Sequence, residues 1–220
     1  AALAAEFRSA PGDDARQAVL DRYNAFATEA LDENADNPLG YYIFLDQAGS
    51  LSREEFAAAL AKYPMMAGYE RVKRYQQSFD RQEATSEGKR FTDFEIEHDG
   101  VKHRLSDVVG KGDYVLVDYW ASWCGPCIRQ TAVIKELYNE LKDKGLKVLG
   151  VAVWDEPEAT KAAIAKHDLP WECWLNGGNV PTDLYGIMGI PCIILYGPDG
   201  TILSRDKQGD ELKAAVRAAM

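Results

Sequence analysis

Residues 114–127 read Tyr114-Val115-Leu116-Val117-Asp118-Tyr119-Trp120-Ala121-Ser122-Trp123-Cys124-Gly125-Pro126-Cys127, an apolar run that ends in a closely spaced pair of cysteines. β-Branched and aromatic residues fill the run, which predicts a strand buried on both faces. After Cys127, apolar residues recur on one helical stripe: Val133, Ile134, Leu137, Tyr138 and Leu141. The Cys-x-x-Cys pair therefore stands where a buried strand ends and a helix begins.

Strands and helices alternate on both sides of this junction. The pattern predicts strands at residues 91–96, 101–105, 114–120, 146–154, 190–196 and 201–204. It predicts further helices at residues 156–167 and 211–219. Turns are predicted at His98-Asp99-Gly100 and Gly197-Pro198-Asp199-Gly200. This alternation implies an α/β fold whose sheet contains parallel strands and is closed by an antiparallel hairpin.

The N-terminal part of the chain has a different composition. Residues from about 14 to 84 are rich in Ala, Leu, Glu, Arg and Gln and almost free of β-branched residues, which favours helices. Turn signals divide this part into helices near residues 13–34, 38–48, 52–62 and 65–84. The small and polar stretch 84–89 suits a linker. We therefore predict a helical domain at residues 1–85 and an α/β domain at residues 86–220.

Composition excludes some classes of function. The 220-residue chain has a formal net charge of −10 and lacks the clustered Lys and Arg of a nucleic-acid-binding protein. No apolar run approaches the ~20 residues of a membrane span. Four cysteines, with one pair close in sequence, do not suit a disulfide-built miniprotein. No secretory signal or lipobox cysteine is found, and the start at Ala1 fits a processed or trimmed precursor, so composition leaves the compartment open.

The position of the cysteine pair predicts different roles for its two thiols. Cys124 stands at the positive end of the helix dipole, which favours the thiolate over the thiol. It is therefore the predicted nucleophile, and Cys127, one turn inside the helix, is the predicted resolving thiol. Gly125 and Pro126 keep the turn tight, since proline is tolerated at the start of a helix.

Two other uses of a Cys-x-x-Cys pair are less favoured. A zinc site needs four ligands in recognisable spacing, whereas Cys173 and Cys192 form no second pair and the three histidines are scattered. A purely structural bridge would close a loop of only four residues and restrict the unfolded chain little. Redox chemistry is the favoured interpretation.

Two motifs resemble the thioredoxin superfamily. The run from Val117 through Cys127 resembles thioredoxin itself. Gly189-Ile190-Pro191 resembles the superfamily's loop, in which a cis-proline faces the redox pair. The two motifs occur in the expected order, and the resemblance covers roughly residues 86–220.

Further segments resemble one branch of that superfamily. The hairpin that starts at Phe91, the segment Leu105-Ser106-Asp107 and the turn at residues 197–200 resemble the TlpA-like, extracytoplasmic branch grouped with AhpC/TSA or redoxin domains. The helical part, with Asn37-Pro38-Leu39-Gly40, is similar to the segment that precedes this domain in Bacteroidetes thiol-disulfide interchange lipoproteins.

The resemblance implies a thioredoxin-like α/β fold, with a mixed central sheet flanked by helices and a small all-helical N-terminal domain before it. It implies a CxxC-dependent thiol-disulfide oxidoreductase that exchanges a disulfide with protein substrates, acts as a reductant like the Cys-Gly-Pro-Cys members, and needs an upstream redox donor. It implies an extracytoplasmic location, in the periplasm or tethered to a membrane before processing. No metal, flavin or nucleotide is implied, and the oligomeric state stays open.

Asp118 lies six residues before Cys124, the position of thioredoxin's buried acid. A carboxylate in a strand of Val, Leu, Tyr and Trp is unfavourable unless it has a use. The resemblance implies proton exchange with Cys127, and an acid bonded to the backbone at a strand end is the alternative. Many TlpA-like proteins place an acid just after the second cysteine, where this chain has Gln130.

The resemblance also implies a surface for the substrate. A cis bond before Pro191 would expose the main chain of Ile190 for pairing with an incoming strand, and an ordinary turn proline is the alternative. Trp123, Gly125 and Pro126 are expected to line the same surface, since relatives expose the residue before the first cysteine.

The other two cysteines are predicted to be buried free thiols. Cys192 directly follows Pro191, where relatives commonly carry Thr or Ala. A bridge between Cys173 and Cys192 is the alternative, because the sequence does not tell whether the two side chains meet.

Two other functions stay open at this point. A thiol-dependent peroxidase is suggested by the AhpC/TSA resemblance alone, but peroxidatic sites of that family use a lone cysteine in a Thr-x-x-Cys setting, which this sequence lacks. The second is an interaction protein whose helical domain recruits a redox partner.

Overall fold

The computed structural model describes residues 2–98, 100–175 and 177–220. The chain divides into two compact units, an N-terminal unit that ends at Gln76 and a C-terminal unit from Gln77 to Met220. Within the described ranges, no helix has both the length and the apolar character needed to cross a bilayer.

The N-terminal unit is helical. Its helices are α1 (Ala2–Ser9), α2 (Asp13–Asn34), α3 (Pro38–Ala48), α4 (Arg53–Lys62) and the first half of α5 (Glu70–Ala84). Asn37 caps α3 by accepting hydrogen bonds from two amides of its first turn. Ser52 and Glu55 form a capping box at the start of α4. Phe44 and Phe56 meet edge-on in the core, with ring centroids 5.9 Å apart.

Two features of this unit differ from the helices predicted from sequence. The prediction omits α1, whose eight residues bury no side chain. The helix predicted at residues 65–84 is wrong in its first part. Pro64–Gly68 form a short 3-10 helix, Tyr69 is extended, and α5 begins at Glu70. The break follows from Gly68, a poor helix former.

In the C-terminal unit, the second half of α5 is followed by an antiparallel hairpin of β1 (Glu95–His98) and β2 (Val101–Arg104). The predicted hairpin therefore forms, although its first strand starts later than expected. Residues 91–94 lie outside it, and the Phe91 amide donates to the Gly200 carbonyl at 2.9 Å instead. Asp99, in the predicted turn, lies outside the described residues.

A five-stranded mixed sheet forms the centre of this unit. Its strands are β3 (Tyr114–Trp120), β4 (Leu146–Ala152), β5 (Glu172–Trp174), β6 (Cys192–Tyr196) and β7 (Ile202–Arg205). They lie in the order β5-β4-β3-β6-β7. β3, β4 and β5 are parallel, and β6 is antiparallel to both β3 and β7. The predicted mixed sheet is confirmed.

Four helices lie between or after these strands along the chain. They are α6 (Gly125–Leu141), α7 (Pro157–Lys166), α8 (Val180–Tyr185) and α9 (Gly209–Ala219). The sequence predicted neither β5 nor α8, because three and six residues are too few for periodicity to emerge.

Side chains of β3 alternate between two apolar layers. Val117 and Tyr119 belong to one layer, and Leu116 and Trp120 belong to the other, which also contains the buried side chains of α6. Because successive side chains of a strand point to opposite faces, Asp118 lies on the face of Leu116 and Trp120. The fold thus places a carboxyl group in the layer between β3 and α6.

The last turns of α5 dock onto the end of α8 within the C-terminal unit. Arg81 Nη1 donates to the Asp183 carbonyl and Gln82 Nε2 donates to the Gly186 carbonyl, each at 2.8 Å. Gly186 has a φ of +61°, and a Cβ there would stand 2.1 Å from the carbonyl oxygen of Ser78. Only glycine permits this approach.

Replacing Gly186 with alanine should therefore lower the free energy of unfolding by about 3 kcal/mol, from left-handed strain and overpacking together. Gly178 is the matched control, since its φ is +56° and a Cβ there meets nothing within 4 Å. Gly178→Ala should lower the free energy of unfolding by only about 1 kcal/mol, from strain alone. Urea denaturation of the oxidised proteins measures both, and equal losses would contradict the proposed close packing.

Candidate functional site

The predicted strand-to-helix junction holds a disulfide between Cys124 and Cys127, with Cα atoms 5.2 Å apart. Cys124 is the N-cap of α6, and its Sγ accepts a hydrogen bond from the Cys127 amide at 3.1 Å. Free amides at a helix N-terminus and the helix dipole both stabilise negative charge. The arrangement therefore favours a thiolate at Cys124 when the bond is open.

The first turn of α6 determines which sulfur a partner reaches. Cys124 is 3% exposed and Cys127 is fully buried. Gly125 and Pro126 are exposed beside the disulfide, with the proline in the first turn, where it displaces no helical hydrogen bond. Arg129 Nη1 lies 3.9 Å from the point where a Cβ on Gly125 would stand.

Asp118 is 2% exposed and lies between Gly150 of β4 and Ile193 of β6 in the register of the sheet. Burial raises the pKa of its carboxyl from 3.8 to about 7. Its Oδ1 makes no hydrogen bond to any described residue. For this oxygen, the structure does not support the alternative, in which the acid is hydrogen-bonded to the backbone at a strand end.

Gly150 makes room for the polar groups next to Asp118. A Cβ at Gly150 would stand 2.7 Å from Cys173 Sγ and 3.1 Å from Trp120 Nε1. The thiol and the indole therefore occupy the space that a side chain of β4 would fill. Burial, followed by the charge of Asp118, raises the pKa of Cys173 to about 12. Cys173 is thus a poor nucleophile at neutral pH.

Cys173 and Cys192 are free and buried, as predicted. Cys173 is in register with Gly150 and hence shares the face of Asp118, whereas Cys192 is in register with Tyr119 and faces the other layer. Three strand spacings, roughly 14 Å, separate β5 from β6. A bridge between the two thiols is excluded by this geometry.

The loop before β6 faces the disulfide. The Ile190–Pro191 peptide bond is cis, as the resemblance implied. The Ile190 carbonyl oxygen lies 3.8 Å from Cys124 Sγ. In the disulfide this sulfur carries no hydrogen, so the pair is a contact that becomes a hydrogen bond only with a thiol. The predicted strand 190–196 begins at Cys192, because the two residues before it form this loop.

Trp123 is 62% exposed, in agreement with its expected place at the surface. Trp120, Trp171 and Trp174 are buried in the core, whereas Trp154 is 36% exposed. Trp123 Nε1 donates to the carbonyl oxygen of Trp154 at 3.0 Å. The ring is thereby fixed in position without being buried.

Asp155 organises the junction from the neighbouring loop, a role that the sequence did not reveal. Its carboxylate accepts hydrogen bonds from the Ser122 amide at 2.6 Å, the Ser122 hydroxyl at 2.9 Å and the Thr160 hydroxyl at 2.8 Å. Although burial raises the pKa of Asp155, these hydrogen bonds together hold it below its usual value. The loop that carries Cys124 is thus tied to the loop after β4.

Gln130, at the position where the resemblance to TlpA-like proteins led us to look for an acid, forms hydrogen bonds with Gln208 and Gly209. Its Oε1 accepts a hydrogen bond from the Gly209 amide at 3.0 Å. Gln130 therefore joins α6 to the start of α9. Asp118 is the buried acid of this layer.

Comparisons with known proteins show what the C-terminal part of the chain is similar to. A sequence model described as the AhpC/TSA family matches residues 88–205. Thiol-disulfide oxidoreductase ResA of Bacillus cereus is 29% identical over 140 residues, which cover 63% of this chain and 79% of the relative.

Solved structures show the same likeness. The thioredoxin domain of a thiol-disulfide oxidoreductase from Bacteroides vulgatus is 32% identical, with a TM-score of 0.55 over 60% of this chain and 96% of the other. A thiol-disulfide oxidoreductase from Bacteroides fragilis is 31% identical, with a TM-score of 0.54 over 60% of this chain and 100% of the other.

The raised pKa of Asp118 makes the stability of the oxidised protein depend on pH. With a folded-state pKa of about 7, Asp118 keeps a proton that the unfolded chain has released above about pH 4. The native state then binds more protons than the unfolded state, so the free energy of unfolding falls as pH rises through this window, by up to about 4 kcal/mol. Asp118→Asn should remove this fall.

The measurement is urea denaturation of oxidised wild type and Asp118→Asn at a series of pH values. The free energy of unfolding of the variant, relative to that of wild type, should increase from about pH 4 to about pH 7 and stay constant at higher pH. Asp143→Asn, at an exposed position on the same unit, is the charge-matched control. A gain by Asp118→Asn that does not change with pH would show that Asp118 ionises normally.

Proposed function

The chain belongs to the AhpC/TSA family and is a thiol-disulfide oxidoreductase with a thioredoxin-like fold, and we propose that it reduces disulfide bonds in protein substrates. One observation carries the proposal. The Cys124–Cys127 disulfide lies at the N-terminus of α6, above a layer that contains the carboxyl group of Asp118.

In the proposed cycle, the Cys124 thiolate attacks one sulfur of the substrate disulfide. A mixed disulfide forms, and the first substrate thiolate leaves and takes a proton from water. Cys127 then loses its proton and attacks Cys124 Sγ, which expels the second substrate thiolate. Two electrons have passed to the substrate and the protein is left as its disulfide. An upstream redox donor must return two electrons for the next cycle.

We assign proton exchange with Cys127 to Asp118. Cys127 is fully buried, so bulk water does not reach its proton directly. Asp118 lies in the layer that α6 covers, and its pKa of about 7 suits a group that accepts and returns a proton near neutral pH. The carboxyl group thereby supports the second step, in which Cys127 must become a thiolate.

We propose that five residues contact the substrate around Cys124. Trp123, Gly125 and Pro126 are exposed on one side of the disulfide. On the other side, Ile190 and Pro191 precede β6, and the Ile190 carbonyl oxygen lies 3.8 Å from Cys124 Sγ. An extended substrate segment that pairs with the Ile190 main chain would bring its own sulfur to Cys124.

The electrostatics support reduction over oxidation. A strongly oxidising pair is one whose dithiol form is stabilised, chiefly through a stable thiolate. Here the helix N-terminus stabilises a thiolate at Cys124. The buried Asp118 has no cation among the described residues to offset its charge when it ionises. A second negative charge near the thiolate is unfavourable. The dithiol form is therefore not strongly stabilised, which favours donation of its electrons.

Equilibration with glutathione tests the direction. We expect a reduction potential more negative than about −200 mV, the range of thioredoxin and the glutaredoxins. The fraction of oxidised protein at each glutathione ratio, measured by alkylation and mass, yields the value. A potential above that limit would place the protein among oxidants or isomerases and overturn the proposed direction.

The resemblance of the opening hairpin and of residues 105–107 to the TlpA-like branch supports an extracytoplasmic reaction, in the periplasm or at a membrane surface. The likeness of the helical part, with Asn37-Pro38-Leu39-Gly40, to the segment before this domain in Bacteroidetes interchange lipoproteins supports a helical domain at residues 1–85. The thioredoxin-like domain would then occupy residues 86–220. Protein thiols and disulfides are the proposed partners on the substrate side.

Cys127→Ser should trap a mixed disulfide between Cys124 and a disulfide-bonded test protein, because serine does not resolve it. Cys124→Ser is the matched control and should trap none, since its three remaining thiols, Cys127, Cys173 and Cys192, are buried. A non-reducing gel shows the adduct, and a reducing gel shows its loss. Trapping by Cys124→Ser alone would reverse the assigned roles.

A further inference from the structure

Two tryptophans of the C-terminal unit are exposed close to the disulfide. Trp123 is 62% exposed and Trp154 is 36% exposed. Large apolar side chains at the surface mark interaction sites when they lie together, and single ones do not. The relation between these two side chains therefore decides whether they form a site.

Hydrogen bonds join the two indoles to a third segment. Trp123 Nε1 donates to the carbonyl oxygen of Trp154 at 3.0 Å, and Trp154 Nε1 donates to Asn179 Oδ1 at 2.9 Å. The chain of bonds connects the residue before Cys124, the loop after β4 and the residue before α8. Both indole N–H groups are used inside the protein, so what the rings leave to solvent is carbon surface.

The backbone at Trp154 is held in an unusual conformation. Its φ is +55°, in the left-handed region, which is unfavourable for a bulky side chain by about 1–2 kcal/mol. The Trp154–Asn179 bond holds it on one side, and on the other Asp155 is bonded to Ser122 and Thr160. Strain that the surroundings hold in this way is typical of functional sites. In this protein, the backbone conformation of Trp154 points its carbonyl oxygen toward Nε1 of the Trp123 ring.

The geometry of a mixed disulfide brings a substrate residue to this place. Bonded cysteines have Cα atoms about 4.4–6.8 Å apart, and the next residue of either chain lies about 3.8 Å further on. Trp123 is the residue next to Cys124. The residue next to the substrate cysteine therefore comes within reach of the Trp123 ring in any mixed disulfide that Cys124 forms.

We propose that Trp123 and Trp154 form a tryptophan shelf that binds an apolar side chain adjacent to the reactive cysteine of a protein disulfide. Asn179 is a positioning residue, because it acts on the shelf through Trp154. The inference rests on the proposed reduction of protein disulfides. It specifies which residue is preferred next to the reactive cysteine of the substrate. An apolar occupant follows from the shelf's carbon surface and from the absence of a free indole donor.

Single-turnover kinetics with prereduced protein test the shelf. The probes are dimeric peptide disulfides of the form acetyl-Xaa-Cys-Gly-amide, in which Xaa is Leu, Gly or Arg. Each turnover moves two electrons from the Cys124–Cys127 dithiol to one peptide disulfide and releases two peptide thiols. The leucine peptide should react about fivefold faster than the glycine peptide, from partial burial of the leucine side chain.

Asn179 variants separate positioning from a merely structural effect. Asn179→Ala removes the acceptor for Trp154 Nε1 and should lower the leucine-to-glycine ratio of rates below about twofold, since little of the leucine burial would remain. Asn179→Asp keeps an acceptor and should retain the ratio. Asn139→Ala, at an exposed asparagine of α6, is the matched control for the loss of an asparagine.

Spectroscopy supplies a second readout. The Trp123 indole N–H should exchange with solvent faster in Asn179→Ala than in wild type or Asn179→Asp, as seen in amide and indole correlation spectra. An unchanged ratio and unchanged exchange in Asn179→Ala would overturn the positioning role. If the arginine peptide reacted fastest of the three, the shelf would bind cations. The proposal of an apolar occupant would then be wrong.

Failure of the shelf and failure of the proposed function give different results. If wild type reduces all three peptides at equal rates, the shelf is wrong and the reductase stands. If wild type reduces none of them, the proposed reduction fails and the shelf fails with it.

Discussion

The hydrogen bond from the Cys127 amide to Cys124 Sγ is the interaction on which the site depends. It requires the first sulfur to cap a helix, so the cysteine must stand at the point where a strand ends and a helix begins. The sheet order brings two other loops to this point. β4 is parallel to β3 and β6 is antiparallel to it, so the loop after β4 and the loop before β6 meet at the same edge of the sheet. Those loops carry Asp155 and Pro191.

Each of these loops makes a different contribution. The loop after β4 is a support, because Asp155 accepts hydrogen bonds from both groups of Ser122 just before the cysteine. The loop before β6 presents a carbonyl group to Cys124 Sγ. Rigid support on one side and an accessible main chain on the other suit the proposed exchange with a second polypeptide, because the site need not change shape to bind it.

The layer below the disulfide contains a buried carboxyl group, which lowers the stability of the folded protein. Asp118 is buried, its Oδ1 has no hydrogen-bond partner among the described residues, and Trp120 Nε1 has none either. Such groups lower stability, and natural proteins keep them chiefly where function requires them. Gly150 is part of the same arrangement, since a side chain there would collide with Cys173 Sγ beside the acid. The buried polar groups and the absence of a side chain at Gly150 support the proton exchange that we propose for Asp118.

The sequence by itself determined the features that depend on local pattern. The long strand β3 and the helices α2 and α3 follow from periodicity and turn residues, and the cysteine pair and Asp118 follow from their spacing within one run. Tertiary structure alone decided the rest. The contact of Asp155 with Ser122 spans 33 positions and that of Gln130 with Gly209 spans 79, and a hydrogen bond between such distant segments leaves no periodic trace in the sequence. The distance between Cys173 and Cys192 is likewise set by the order of the strands in the sheet. The hydrogen bond between Trp123 and Trp154 forms only because the fold brings two loops that are distant in the chain to the same edge of the sheet.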